Sequence, residues 1–546
     1  MATYQNFPQD SIRKTSRYFS SLKTTVETAF YSNNVTLVET IEDAYQRAFQ
    51  APNNIIIDLP VKHAAELGLP EDAKVILTND GAVVGRTAKA KRIFGDSPEE
   101  DDRLIGIVRQ AVYEGSFKPF LKASAVVGLA EPFMMKAHIT MPETYANNLY
   151  SWLINFQIYN KSYDALYQKS THYEESDIYI FCDPDWSHPD YPDGLAYFDP
   201  EHNTAAILGM NYFGEIKKGT LTLAWGTAAR NNFVACHGGL KIFRTPEGQS
   251  HVASFFGLSG SGKSTLTHAK HDNRYDIQVL HDDAFIIHID EGYSVALEPS
   301  YFDKTSDYPV GHTEQDYFVT VQNVGVTLDE SGQRVLVTED IRNGNGRTVK
   351  SRYSTPNRVD LIEEPIQAIY WIMKDDSLPP IIKITDPVMA SAFGCTLATK
   401  RSSAENTSDD RDALVIEPYA NPFMVYPLVE DFEKFKALFE KDVACYIINT
   451  GEFLGKKITP SDTLSIIEAN VENRAQFQPF SPIKHFEYVN VPGFEVPFDD
   501  SVYLEYLQER IQGRLDFVTH YNAQNRLALL PHEIIETFQN IVKGLG

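Results

Sequence analysis

Cysteine is scarce and scattered: Cys182, Cys236, Cys395 and Cys445 are the only four in 546 residues, and no two stand in C-x-x-C spacing. That excludes a zinc ribbon and a disulfide framework and points to a reducing compartment. Long apolar runs are missing as well. None reaches the ~20 residues a membrane span needs, and the opening MATYQNFPQDSIRKTSRYF lacks the apolar region of a signal peptide, so a cytoplasmic location is expected. Positive charge is in deficit, with 49 Lys and Arg against 74 Asp and Glu, a net charge of −25. Such a field repels phosphodiester backbones and anionic lipid, and no segregated basic face is legible, so nucleic acid and membrane surfaces are not expected as partners. Repeats and low-complexity tracts are absent too. An anionic small substrate then requires a local gathering of cations, which makes every Lys/Arg cluster informative.

What is present is a globular composition, 43% hydrophobic and 12% aromatic, at a length that suggests about two to four domains. β-Branched runs at Val75–Leu77, Ile178–Phe181, Val252–Phe256, Ile277–Leu280 and Cys445–Ile448 alternate with helical patterns, so mixed α/β layers are predicted. At the C-terminus, Pro531 opens a helix with Ile534, Ile535, Phe538, Ile541 and Val542 on one face, and Gly544 is expected to close it. Two polar stretches, DPDWSHPDYPDG from Asp183 and RSSAENTSDDRD from Arg401, read as loops, the second a candidate lid. A domain boundary is expected between residues 225 and 245.

The sharpest local signal is GLSGSGKS: Gly257, Leu258, Ser259, Gly260, Ser261, Gly262, Lys263 and Ser264, with Thr265 following. It fits G-x-x-x-x-G-K-[ST] at every required position, after the strand-like VASFF and before the helix-like STLTHAKH. Glycines let backbone N–H groups turn inward and cradle phosphate oxygens. Lys263 would neutralise the outer phosphates and the Ser264 hydroxyl would ligate Mg²⁺. Asp282 and Asp283 follow an apolar run, at the strand end where such folds hold a nucleotide-bound metal.

With these motifs, the segments YFGEIKKG and GRTAKAK make the chain resemble ATP-dependent phosphoenolpyruvate carboxykinases, most clearly from residue 80 to residue 460. The resemblance implies a two-lobed α/β fold. An N-terminal substrate-binding domain, 1–235, would face a C-terminal P-loop domain, 236–546, with the site in the cleft and a mobile lid. It implies conversion of oxaloacetate and ATP to phosphoenolpyruvate, ADP and CO₂ with Mg²⁺ and Mn²⁺. By the same resemblance Arg86 holds the substrate carboxylate, Tyr212 faces the substrate, and Lys217 and Lys218 lie at the metal. His237, nineteen residues past Lys218, matches a Mn²⁺ ligand, as does Asp283. Ser259 approaches the substrate, Glu298 in EPSYFDKT lies near the metal, and Arg352 in SRYSTP contacts the transferred phosphoryl group. Arg401, or Arg411, stands in for a nucleotide-base contact. The loop has none of the cysteine found in GTP-using relatives, which favours ATP.

The chemistry accounts for these residue types. A lysine ligates a metal only as the neutral amine, so the Lys218 pKa has to fall, and the metal with the adjacent cationic Lys217 is expected to lower it. Neutral His237 and anionic Asp283 complete a nitrogen and oxygen set suited to Mn²⁺. Departures are GSGKS in place of G-T-G-K-T and the absence of an acidic residue after the aspartate pair in HDDAFII. Two rival readings are a phosphocarrier-protein kinase and a non-catalytic ATP-binding regulator. Neither needs Arg86, Lys218 and His237 together. Monomer and small homo-oligomer are both compatible with the sequence.

Overall fold

The computed structural model describes residues 2–13, 15–79, 90–258, 260–339, 346–400 and 414–546. Arg86, Ser259, Arg401, Arg411 and the candidate lid from Arg401 lie outside the described residues. The five apolar runs all form strands, within Lys74–Thr78, Ile178–Asp183, Ser250–Phe256, Asp276–His281 and Ala444–Asn449. The architecture is mixed α/β with several sheets.

Among the described residues, eight strands between Val35 and Leu208 form one sheet, built on the long hairpin Phe120–Ala130 and Phe133–Pro142. The helix Phe213–Arg230 follows directly, and all but two of its residues are buried. It is apolar on most sides because Trp225, Leu221 and Leu223 pack into the core beneath that sheet. An eleven-stranded sheet holds the phosphate-loop strand, Ser250–Phe256. That strand pairs antiparallel with Phe233–Arg244 and parallel with Ala368–Met373, which is itself parallel to Ala444–Asn449. A fully buried strand in such a setting has no polar face, which is why these segments read as continuous apolar runs.

A third sheet of five strands joins distant stretches of chain. Asn54–Pro60 pairs with Lys74–Thr78, which pairs in turn with Phe318–Gln322, and through it the sheet continues to Arg347–Lys350 and Tyr301–Lys304. Thr320, Val321 and Gln322 run parallel to Ile76, Leu77 and Thr78. At the C-terminus Pro531 opens the helix His532–Leu545, as its fixed φ allows. Gly544 does not close it but sits in its last turn, with Ile534, Phe538 and Ile541 buried against the core.

One buried acid makes stability depend on pH. Asp431 on the helix Leu428–Phe439 is 2% exposed and accepts a 2.8 Å bond from the Tyr426 hydroxyl. Burial drives its pKa up to about 7, against the help of Tyr426 and Lys434. A carboxyl whose folded pKa exceeds its unfolded value destabilises the fold as pH rises between the two values, because the unfolded chain releases its proton first. Asp431→Asn keeps the acceptor and removes the charge. The expected gain in urea-unfolding free energy is therefore larger at pH 8 than at pH 5.5, by about 2 kcal/mol; equal gains at the two pH values would contradict it.

Candidate active site

Four elements meet at one carboxylate. The first is the turn between the strands Asp276–His281 and Ala284–His288. His281 shapes it: its Nδ1 accepts from the backbone N–H groups of Asp283 (3.1 Å) and Ala284 (3.2 Å), while Nε2–H donates to Ser300 O at 3.1 Å. Burial holds this imidazole neutral, with a pKa lowered to about 3, so it can accept on one side and donate on the other. The result is an Asp283 carboxylate fixed at the sheet end.

The helix Phe213–Arg230 supplies the paired lysines. Lys217 Nζ lies 2.5 Å from Asp283 Oδ2 and 2.9 Å from Glu298 Oε1, and Lys218 Nζ lies 2.8 Å from Asp283 Oδ2. The strand Phe233–Arg244 supplies His237, whose Nε2 is 2.9 Å from Asp283 Oδ1. Lys263, first residue of the phosphate-loop helix Lys263–His268, comes to 3.6 Å of Asp283 Oδ1. Four predicted residues from three chain segments thus surround a fifth. Glu298 is fully buried behind Lys217 and accepts from Asn155 Nδ2 at 2.6 Å.

The electrostatics separate the two lysines. Burial works against charge on Lys217, but Asp283 and Glu298 outweigh it and hold the ammonium above the ordinary lysine value. Lys218 shares only Asp283, and burial brings it down to about 8, with Lys217 and Lys263 contributing. Burial is the leading cause, and Lys217, which the sequence reading named together with the metal, lowers it further. Burial, then Lys263 and Lys218, lowers His237 to about 3. Burial opposes ionisation of Asp283 as well, yet Lys217, Lys218 and Lys263 keep its carboxyl well below the usual range. The set at neutral pH is a neutral imidazole, an ammonium that gives up its proton easily, an ammonium held charged and a carboxylate.

Residues without a motif complete the site. His237 Nδ1–H donates to Ala420 O at 2.5 Å, which leaves the Nε2 lone pair facing Asp283. Ala420 (φ 54°) and Tyr419 (φ 51°) are both left-handed, a strained pair at the point where that carbonyl is presented. The Phe423 ring lies 4.7 Å from Lys218 Nζ and 5.4 Å from the His237 ring, and Trp225 stands behind both. No sequence signal marks these residues, because a backbone carbonyl 183 positions away has no side-chain signature.

In the phosphate loop, Gly257 and Leu258 are buried and Gly260 is exposed, while Gly262 precedes the helix at φ +102°, where a Cβ would be strained. Lys374 Nζ donates to Gly260 O (2.8 Å) and Thr450 Oγ1 to Ser261 O (2.7 Å), bracing the loop from outside the motif. Ser264 and Thr265 are exposed at its mouth. Three predicted residues stand apart from the Asp283 cluster. Asp282 is buried and paired with His268 Nε2 at 3.2 Å, which keeps its carboxyl low against burial. Arg352 donates to both oxygens of Asp360 (3.3 Å each) and to the Tyr163 hydroxyl (3.2 Å). Tyr212 caps the N-terminus of the helix Phe213–Arg230, its ring 6.0 Å from Phe302.

The family model for phosphoenolpyruvate carboxykinase, ATP type, matches residues 54–496. The chain belongs to the ATP-dependent phosphoenolpyruvate carboxykinase family. Among similar proteins is the phosphoenolpyruvate carboxykinase (ATP) of Aeropyrum pernix, 28% identical over 306 residues, which are 52% of this chain and 60% of that protein. The glycosomal phosphoenolpyruvate carboxykinase (ATP) of Trypanosoma brucei brucei is 26% identical over 204 residues, 34% of this chain and 41% of that protein. The carboxykinase of Dictyostelium discoideum is 22% identical over 501 residues, 85% of this chain and 84% of its own length. The chain thus spans less than two thirds of the first two relatives and most of the third. Among the described residues no helix is long and apolar enough to cross a membrane.

Proposed function

We propose that this chain catalyses the ATP-dependent decarboxylation and phosphorylation of oxaloacetate to phosphoenolpyruvate, ADP and CO₂. The observation that carries the reading is the convergence of Lys217, Lys218, His237 and Lys263 on Asp283, within a chain of the carboxykinase family. The site would lie in a cleft between an N-terminal lobe, residues 1–235, and a P-loop lobe, residues 236–546. Four cysteines that are free and buried support a reducing, cytoplasmic setting.

The donor set fits a divalent cation. Neutral His237 Nε2, the Lys218 amine and Asp283 would hold it, and one cation of this type, assigned as Mn²⁺, suits such nitrogen and oxygen donors. Ser264 and Asp282 would hold the Mg²⁺ that accompanies the nucleotide. Among the described residues no three His, Cys, Asp or Glu side chains are grouped so as to hold a metal ion; the set proposed here counts a lysine among its three ligands. When bound, these cations neutralise charge that builds on substrate oxygens.

The protein's own groups do the rest. Loop N–H groups and Lys263 would hold the triphosphate, and Arg86 would orient the small dianion by its carboxylate, turning a loose encounter into an aligned one. Tyr212 and Lys217 would face the substrate, the latter kept cationic by Glu298. Ser259 would approach the substrate from the loop. Loss of CO₂ leaves an enolate whose oxygen attacks the γ-phosphoryl group in line, so no side-chain nucleophile is needed. Charge on the transferring oxygens would be met by Lys263 and by Arg352 after it exchanges Asp360 for phosphate. Phe423 and Trp225 keep water from one side of the cluster, and the segment from Arg401 would close over the other.

The test is direct. Purified protein with oxaloacetate, ATP, Mg²⁺ and Mn²⁺ is expected to form phosphoenolpyruvate and ADP in equal amounts. Tight ATP binding without phosphoenolpyruvate would instead identify a regulator, and phosphate transfer to a carrier protein would identify a kinase.

A further inference from the structure

The phosphate-loop helix is short, only Lys263–His268. Lys263 and Ser264 at its start must nevertheless hold their places relative to His237 on a different element. A helix of this length has little stability of its own, and its last carbonyls need partners from elsewhere.

The partner is a side chain on the strand that carries His237. Lys241 is completely buried in the strand Phe233–Arg244. Its Nζ donates to Leu266 O at 2.6 Å and Ala269 O at 3.2 Å, and lies 3.0 Å from His271 Nε2. These are the end of the helix and the residues just after it. His271 Nδ1–H in turn donates to Glu468 Oε1 at 2.9 Å, on the helix Pro460–Val471. Among the described residues no carboxylate touches Lys241 directly, and burial alone brings its pKa down to about 7. A buried lysine without an acid is costly, so these donor bonds to the helix end are what it provides in return.

Strand periodicity gives the arrangement its meaning. His237, Gly239 and Lys241 alternate onto one face of the strand, whose pairing with Ser250–Phe256 is continuous from Gly238 to Arg244. The first reaches Asp283. The second has no Cβ, and a methyl group there would overlap Thr267 Oγ1 on the short helix. The third caps that helix. One strand therefore sets both the sideways approach and the far end of the helix against the imidazole two residues further back.

We propose that Lys241, tied through His271 to Glu468, is a positioning residue that holds the phosphate-loop helix in register with His237, and so sets affinity for the nucleotide triphosphate. The inference rests on the proposed reaction only in that ATP is the loop's ligand. It is tested by calorimetry of Mg-ATP binding to the full-length protein, beside steady-state kinetics. Lys241→Met keeps the stem and removes every donor; it is expected to weaken ATP binding at least tenfold while the KM for oxaloacetate stays within twofold. His271→Gln can still accept from Lys241 and donate to Glu468 and is expected to bind ATP within threefold of the parent, whereas His271→Leu is expected to weaken it fivefold or more. ATP affinity within twofold of the parent for Lys241→Met, or equal weakening for ATP and oxaloacetate, overturns the proposal. If Lys241→Met does not fold, equal ATP affinities for His271→Gln and His271→Leu overturn it. A parent protein that binds ATP but forms no phosphoenolpyruvate refutes the reaction and leaves this measurement decisive.

Discussion

Asp283→Asn is expected to lower turnover at least about 1000-fold, the scale at which removal of a central charged group in a closed site is felt. The amide is nearly the same shape, so the loss isolates charge. Three ammonium or amine groups and one imidazole share this carboxylate. Without it their mutual repulsion is uncompensated. Lys217, fully buried, keeps only Glu298, and stability is expected to fall by about 3 kcal/mol, the low end for removing one partner of a buried pair. ATP affinity should fall less than tenfold, because the loop N–H groups and Lys263 remain. Phosphoenolpyruvate formation and Mg-ATP calorimetry on the same preparation check the two halves; turnover within tenfold of the parent removes Asp283 from the centre of the site.

His237→Gln and Lys218→Met are expected to lower kcat by about 100- to 1000-fold while leaving ATP binding within threefold. Both replacements preserve length and fail in donor chemistry. Glutamine offers an amide where the site holds an imidazole nitrogen kept neutral by burial and aimed by Ala420 O. Methionine keeps the contact with Phe423 that Lys218 makes and loses the amine. Unequal effects would be informative: a silent Lys218→Met beside an inactive His237→Gln would make the lysine a structural neighbour only.

How much of this was legible in the sequence depends on how local each signal is. The phosphate loop is eight consecutive residues whose geometry is set by glycines, and it was readable from GLSGSGKS alone. Lys263 was found from the loop motif and Lys218, His237 and Asp283 through the resemblance to the family's segments, and they converge. What spacing could not supply were contacts made through the backbone or across long separations. Ala420 O, the Phe423 wall, Asn155 on Glu298 and Asp360 on Arg352 belong to this group. The same holds for His268 on Asp282. Strand positions in the eleven-stranded sheet were readable because burial on both faces forces continuous apolar runs. In the five-stranded sheet the strand at Val75–Leu77 was readable, but its pairing with Phe318–Gln322 was not. Its partners are more than two hundred residues apart, and nothing in VILT or VTVQ names the other.

That sheet carries a lesson for anyone dissecting the polypeptide. Lys74–Thr78 finds its neighbour in Phe318–Gln322, so cutting the gene near codon 235 yields two pieces that each hold an unfinished ladder with open hydrogen-bonding groups. Produced separately, such pieces would be sticky and prone to self-association. Produced together, they carry matching halves of one stitched seam, which makes the position a natural place for a complementation reporter.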